Sequence, residues 1–283
     1  MPGNVLISGA STGIGRATAL HLAARGYQVF AGVRREQDGE SLKQEDGSGN
    51  IQPVTLDVTN ERHIGELKSD LAHRIGEEGL AGLVNNAGIG DGGPMEYMAL
   101  DRMRSLFEVN VFGPVALTQA FLPLLRVATG RIIIVGSIAG KISSPIQGPY
   151  CMSKYALESF ADSLRQELAA ERIHVSLIEP GMIDTPMIAK IGPTAEQLLA
   201  EFPKEGEERY GDVVRTVLDH FSRISRHASS PQKVVKVIQH ALEANRPKTR
   251  YLVGFGATVA YWASVIFPDR WMDRFKARLM GLD

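Results

Sequence analysis

The sequence predicts an α/β fold, in which one parallel sheet is doubly wound with helices on both faces. Three observations predict it. Short apolar runs rich in Val, Ile and Leu alternate with helical patterns along most of the chain. Repeated strand–helix–strand order builds a parallel sheet, because each helix carries the chain back to the same end. A glycine-rich loop, GASTGIG (9–15), falls between the first strand and the first helix. No repeat, linker or low-complexity tract interrupts the pattern, so residues 1–283 read as one domain.

Taken in order, NVLIS (4–8) is a buried strand and GRATALHLAARG (15–26) a helix with Gly26 past its end. QVFAGV (28–33), IQPVTLDV (51–58), GLVNNAG (82–88), RIIIVGS (131–137), HVSLIEPG (174–181) and RYLVG (250–254) read as further strands. Helical stretches at 61–77, 101–128, 150–171 and about 231–244 separate them. The segment 186–230 departs from this alternation. It is charged and broken by Pro193 and Pro203, yet carries Met187, Ile188, Leu198, Leu199, Phe202 and Tyr210. One or two amphipathic helices outside the sheet are expected, forming a lid, since long excursions of this kind often cover active sites. A surface embellishment is the blander reading.

The C-terminal extension, about 255–283, is apolar and then basic. GFGATVAYWASVIF (254–267) is too short to span a bilayer and is expected to be buried or interfacial. RWMDRFKARLMGLD (270–283) suits an amphipathic helix. Tyr261, Trp262, Phe267, Trp271 and Phe275 raise peripheral membrane contact as one reading. Packing over the sheet edge or in a subunit interface explains them equally well and is the working expectation.

Composition narrows the function classes. At 44% hydrophobic and 22% charged residues, the chain matches soluble globular proteins. Lys+Arg 31 against Asp+Glu 32 lacks the basic excess of a nucleic-acid binder. One cysteine excludes an intramolecular disulfide and suits a reducing compartment. A strand begins almost at once, with no basic n-region or cleavage site before it, so a cytoplasmic protein without a transmembrane segment is expected. The seven histidines, at 21, 63, 73, 174, 220, 227 and 240, show no metal-ligand spacing, and no metal is expected.

The glycine loop carries the first chemistry. Glycine lets a backbone turn sharply and approach a ligand closely. The helix N-terminus behind it offers unpaired N–H groups and a positive dipole end, which suits a pyrophosphate. Gly9, Ser11, Thr12, Gly13, Ile14 and Gly15 are therefore candidate cofactor-binding residues, although G-x-x-x-G-x-G differs from the G-x-G-x-x-G fingerprint. Past the second strand stand Arg34 and Arg35, where a dinucleotide's ribose would be read. Guanidinium matches a 2′-phosphate. NADP(H) is therefore expected over NAD(H), with Glu36 as a complication and a solvated basic turn as the alternative.

GPYCMSK (148–154) carries the second. On a helix, Tyr150 and Lys154 emerge on one face, about 5–6 Å apart at Cβ. A phenol ordinarily keeps its proton to pH ~10. A nearby cation lowers that value. Taken alone, such a pair is generic on helix surfaces.

GASTGIG (9–15), NNAG (85–88), Ser137 ending RIIIVGS, and Tyr150-x-x-x-Lys154 stand in that order. The ordered set resembles the single-domain short-chain dehydrogenase/reductase family over about residues 4–185 plus the RYLVG strand, nearer its hydroxysteroid and retinol dehydrogenase-like members. The resemblance implies a Rossmann-type fold and a set of roles. Tyr150 would be the general acid in ketone reduction and the general base in alcohol oxidation, and would also touch the cofactor. Lys154 would lower its pKa and hold the nicotinamide ribose. Ser137 would bond the substrate oxygen, and Asn110, in EVNVFG, would hold a water on the proton route. Asp57 and Val58 would contact adenine. Asn85, Ala87 and Gly88, and then Pro180, Gly181, Ile183 and Thr185, would complete the cofactor site. Ser8 replaces the family's usual threonine, and Met152 stands where a small residue is frequent. Cys151 reads as a neutral, semi-buried thiol.

The resemblance implies an NADP(H)-preferring oxidoreductase interconverting a secondary alcohol and a ketone, with NAD(H) as the second cofactor. The apolar lid suggests a bulky steroid-, retinoid- or lipid-like substrate. A 3-oxoacyl thioester reductase is one alternative, and a non-catalytic NADP(H)-sensing or scaffold protein the other. A homo-dimer or homo-tetramer is implied.

Overall fold

The computed structural model describes residues 2–189 and 195–282. Seven strands form its sheet: β1 (Asn4–Ile7), β2 (Gln28–Val33), β3 (Ile51–Thr55), β4 (Gly82–Asn85), β5 (Arg131–Val135), β6 (His174–Pro180) and β7 (Arg250–Val253). They are all parallel, in the order β3-β2-β1-β4-β5-β6-β7. The order reverses between β1 and β4, and at such a switch point the loops leaving the carboxyl ends part to make a crevice. Several strands are a few residues shorter than the sequence reading, because the chain peels away at those ends.

Helices cover both faces, as the apolar runs require. Side chains alternate along a strand. Val5 and Ile7 meet one set of helices: α1 (Gly13–Ala23), α2 (Glu36–Glu45) and, far along the chain, α10 (Gln232–Glu243), through Leu22, Leu42, Val234 and Ile238. Leu6, Phe30 and Leu83 meet the other set. These are α3 (Glu61–Ile75), α5 (Gly113–Ala128) and α6 (Gly148–Glu167), through Leu71, Leu117, Phe121 and Leu157. Phe121 has no exposed surface, so Phe121→Ala costs about 3–5 kcal/mol.

The reading missed α2. Its sequence, EQDGESLKQE, buries only Gly39 and Leu42 and offers no apolar stripe. The stretch 101–128 is not one regular helix. α4 (Leu100–Phe107) passes through a π-turn at Glu108–Phe112 into α5, and the turn contains Asn110.

The 186–230 segment holds α7 (Pro186–Ala189), α8 (Ala195–Leu199) and α9 (Lys204–Ser225). Pro193 and its neighbours 190–194 lie outside the described residues. Leu198, Leu199, Val214 and Val217 pack with Ile146 in a third apolar cluster apart from the sheet. Arg102 of α4 donates to Asp91 in the loop after β4 and to Glu201 just past α8, clipping the segment to that loop. His220 lies on α9, but His227 falls beyond its end.

α11 (Ala257–Ile266) and α12 (Asp269–Met280) end the chain. Of the two readings for 254–267, buried or interfacial, burial is not observed. Gly254 and Gly256, both at positive φ, turn the chain away from β7. Only Ala257 of α11 is buried.

Candidate active site

The site forms where the carboxyl ends of β1, β4, β5 and β6 adjoin. The loop after β1 is held by glycine geometry. Gly9 and Gly13 sit at φ 66° and 56°, which favours glycine. A Cβ on Gly15 would lie 2.3 Å from the Gly9 carbonyl oxygen. No acidic residue stands in the first turn of α1, and Thr12 makes no side-chain cap, so those N–H groups remain available to an anion.

Ser8 knits this loop to the NNAG segment. Its Oγ accepts from the backbone N–H groups of Asn86 and Ala87, each at 3.0 Å. Asn86, which the sequence reading passed over, donates its side-chain amide to the oxygens of Ser8 and Gly9. Asn85, which the reading nominated, is buried and donates to Thr118 Oγ1 at 3.1 Å. Its amide nitrogen is thereby committed to the fold. From β6, Thr185 comes over the loop, and a Cβ on Gly13 would lie 3.3 Å from its side chain. Pro180 ends β6, and Gly181 donates to the Val253 oxygen at 2.8 Å. The Ile183 and Val58 side chains are both buried in the core clusters, so these two can offer a cofactor little beyond backbone.

At the far edge, the Asp57 carboxyl accepts from the Thr59 N–H and hydroxyl. Burial opposes its ionisation, but these bonds and the charges of Arg34 and His63 hold it below the usual range. The two arginines are not equivalent. Arg35 donates twice to Asp38, at 2.9 and 2.8 Å. Arg34 is exposed and forms no ion pair among the described residues, while its charge also reaches Asp38.

The reactive groups converge on α6. Ser137 caps a short 3-10 turn, Ile138–Gly140, its Oγ accepting from the Ala139 N–H at 3.1 Å. Tyr150 shares a hydrogen bond with Ser137. Burial pushes the phenol up to about 12, against the pull of that bond. One helical turn on, the buried Lys154 donates to the Val135 carbonyl oxygen at 3.1 Å, with its ammonium 5.6 Å from the Tyr150 ring centre. Burial lowers its pKa to about 8. Cys151 is buried more fully than expected, and burial raises its thiol, so it is no ready nucleophile.

Asn110 is a brace. Its Oδ1 accepts from the Ile89 N–H, and its Nδ2 donates to the Ile89 oxygen and to Ser153 Oγ. Ser153 in turn donates to the Tyr150 carbonyl. The π-turn, NNAG and α6 are thereby locked together. These bonds occupy the Asn110 side-chain amide.

A buried charged layer, also unforeseen, underlies the site. Glu158, one turn past Lys154, accepts from Lys141 at 2.6 Å and from Arg250 at 3.0 Å. A Cβ on Gly140 would meet the Lys154 oxygen at 2.9 Å and Glu158 at 3.2 Å, so the Ser137 turn lies directly on α6. Glu179 of β6 is fully buried beside Glu158. The only forewarning was the i, i+4 stripe Tyr150, Lys154, Glu158.

A dinucleotide fits these residues. The glycine cradle admits a backbone-bound pyrophosphate. At the other end Gly88 leaves open the space beside Lys154, whose Nζ lies 3.9 Å from where a Cβ would stand. Lys154 has three donors and one found acceptor, leaving two N–H groups for ribose hydroxyls.

Comparison with known proteins agrees with this geometry. The short chain dehydrogenase family model matches residues 3–196. Retinol dehydrogenase 5 of Mus musculus is 35% identical over 278 residues, covering 95% of this chain and 86% of that protein. A short-chain dehydrogenase from Streptomyces avermitilis superposes with a TM-score of 0.77 at 27% identity, over 99% of this chain and 95% of that one. A short chain dehydrogenase from Burkholderia cenocepacia in complex with NADP gives 0.72 at 25% identity, over 98% and 97%.

Proposed function

The chain belongs to the short chain dehydrogenase family and is an NAD(P)-dependent oxidoreductase acting on alcohols; from that premise we propose that it prefers NADP(H) and interconverts a secondary alcohol and a ketone on a bulky, hydrophobic substrate. The observation that carries the proposal is the convergence of the Ser137 hydroxyl, the Tyr150 phenol and the Lys154 ammonium at the mouth of one crevice. The nicotinamide, when bound, supplies or accepts the hydride.

The rest is done by this chain. Ser137 Oγ accepts from Ala139, and the hydroxyl proton it shares with Tyr150 can turn to a substrate oxygen and stabilise charge there. Tyr150 gives its proton to that oxygen in reduction and takes one from the hydroxyl in oxidation. With a pKa near 12 in the free protein, the phenol is a ready acid, and it needs help to be a base. The Lys154 ammonium gives that help, by Coulomb attraction from a buried position. Asn110 and Ser153 hold the segments that carry these groups in register.

The cofactor preference is supported by Arg34, an exposed cation beyond β2 that forms no ion pair among the described residues. The substrate class is supported by the aromatic side of α8 and α9. Tyr97 stacks on Phe202 at 5.6 Å and meets Tyr210 edge-on at 5.8 Å, an apolar wall beside the loop after β4. Retinol dehydrogenase 5, whose name states a retinoid alcohol, is in line with a bulky hydrophobic substrate, though retinol is a primary rather than a secondary alcohol.

A panel of steroid, retinoid and short aliphatic alcohols and ketones, offered with NADP(H) and NAD(H), tests it by nicotinamide absorbance. The expected result is turnover on the bulky members, fastest with NADP(H). Turnover confined to acyl thioesters would replace the proposal with a thioester reductase. Tight cofactor binding with no turnover of any carbonyl would replace it with a sensor.

A further inference from the structure

The last two helices have no role in this chemistry, yet they expose more large apolar surface than any other part of the described chain. On α11, Val259, Trp262 and Ile266 form a stripe at helical spacing, and Val259 is 75% exposed. α11 carries no charged residue. On α12, Trp271, Phe275 and Leu279 recur every fourth residue, and all three are more than half exposed. One position earlier in each turn runs a second exposed row, Arg270, Arg274 and Arg278.

This surface cannot be covered by turning α12 over. Its inner face is already committed, since Met272 and Met280 are buried and Met280 packs with Val214 and Val217 of α9. Lys276 donates to the Ser143 oxygen at 3.1 Å, fixing the helix to the loop that follows the Ser137 turn. The exposed stripe is thus held outward by the same contacts that join it to the lid and to the site.

From these positions we infer that α11 and α12 form a pad that docks the protein on an anionic lipid surface, beside the lid of the active site. An apolar stripe bordered by arginines suits the boundary between acyl chains and negative headgroups, where aromatic side chains enter and guanidinium groups meet phosphate. Charge decides against a second copy of the chain. A two-fold contact through this face would bring two arginine rows together. Asp273 is already paired with Lys276 at 2.9 Å, which leaves Asp269 as the other acid on the helix.

The chain has two tryptophans, Trp262 and Trp271, and both lie on this pad. Intrinsic fluorescence therefore reports docking without a label or turnover, so the test stands apart from the substrate proposal. The full chain is mixed with vesicles of phosphatidylcholine alone, or of phosphatidylcholine with phosphatidylglycerol, and followed by emission and co-sedimentation. Docking predicts a blue shift and sedimentation with the phosphatidylglycerol vesicles, both weakened by salt. Arg270→Gln with Arg274→Gln, two exposed sites outside the catalytic set, should lower the partition roughly thirtyfold while emission without vesicles stays unchanged. Equal binding to phosphatidylcholine alone would remove the arginines from the account. An unshifted emission with protein left in the supernatant would overturn it. So would a blue shift without vesicles that tracks a doubling of mass. If the arginine variant fails to fold, the two vesicle compositions still decide with the unaltered chain.

Discussion

Lys154 donates to the Val135 carbonyl oxygen at 3.1 Å while its ammonium stands 5.6 Å from the centre of the Tyr150 ring. The sheet, through β5, thereby fixes where the cation sits relative to the phenol. Its charge is half lost by pH about 8 in the free protein and fades further above it. A cation at this range lowers a neighbouring acid's pKa by about 1–3 units. Lys154→Met should therefore move the limb of alcohol oxidation that rises with pH upward by about 1–3 pH units. The pH profile of kcat/KM measures this. An unmoved limb would separate the cation from the phenol.

Arg34 and Arg35 look interchangeable in sequence but not in structure, because Asp38 holds Arg35 and leaves Arg34 unpaired among the described residues. Charge-assisted bonds to a 2′-phosphate are worth about 1.5–3 kcal/mol. Arg34→Asp should cut the preference for NADP(H) over NAD(H) by roughly ten- to a hundredfold. Arg35→Asp should do less. Steady-state kinetics with both cofactors measure the ratio, and equal effects at the two positions would reject Arg34 as the phosphate reader.

Glu179 has no exposed surface, and neither carboxyl oxygen has a partner among the described residues. Burial, and then Glu158 beside it, raises its acid from 4.5 to about 8. The folded state therefore keeps this proton over a range in which the unfolded chain has lost it. Glu179's contribution is fully present below pH about 4.5 and is lost as pH rises to about 8. Glu179→Gln should flatten that fall, which is at most about 1.4 kcal/mol per pH unit. Denaturant unfolding across the window measures it; parallel slopes for the two proteins would mean that Glu179 is ionised in the fold.

The sheet was legible because its central strands are largely apolar, and each strand ends near a glycine or a polar residue. The order of motifs was enough to place Ser137, Tyr150 and Lys154 in one crevice. The rest depended on contacts that spacing does not reveal. α2 lacks an apolar stripe, and with it went the Arg35–Asp38 pair, which is visible only once residues 35 and 38 share a helical turn. Asn85 and Asn86 are adjacent, and only the twist of the chain after β4 decides which one faces Ser8 and which faces Thr118. Glu158 and Glu179 lie on different elements and meet only through packing. In the C-terminal helices, composition gave the amphipathic character but not the side left uncovered.

Tyr150→Phe removes one oxygen from the crevice and leaves the ring, Lys154 and the glycine cradle in place. The account predicts a loss of turnover of about 10²–10⁴-fold in both directions. NADPH affinity, read by fluorescence titration of the same variant, should stay within about threefold, because the phenol is assigned to proton transfer rather than to holding the cofactor. Turnover close to that of the unaltered protein, with the cofactor still bound, would contradict it.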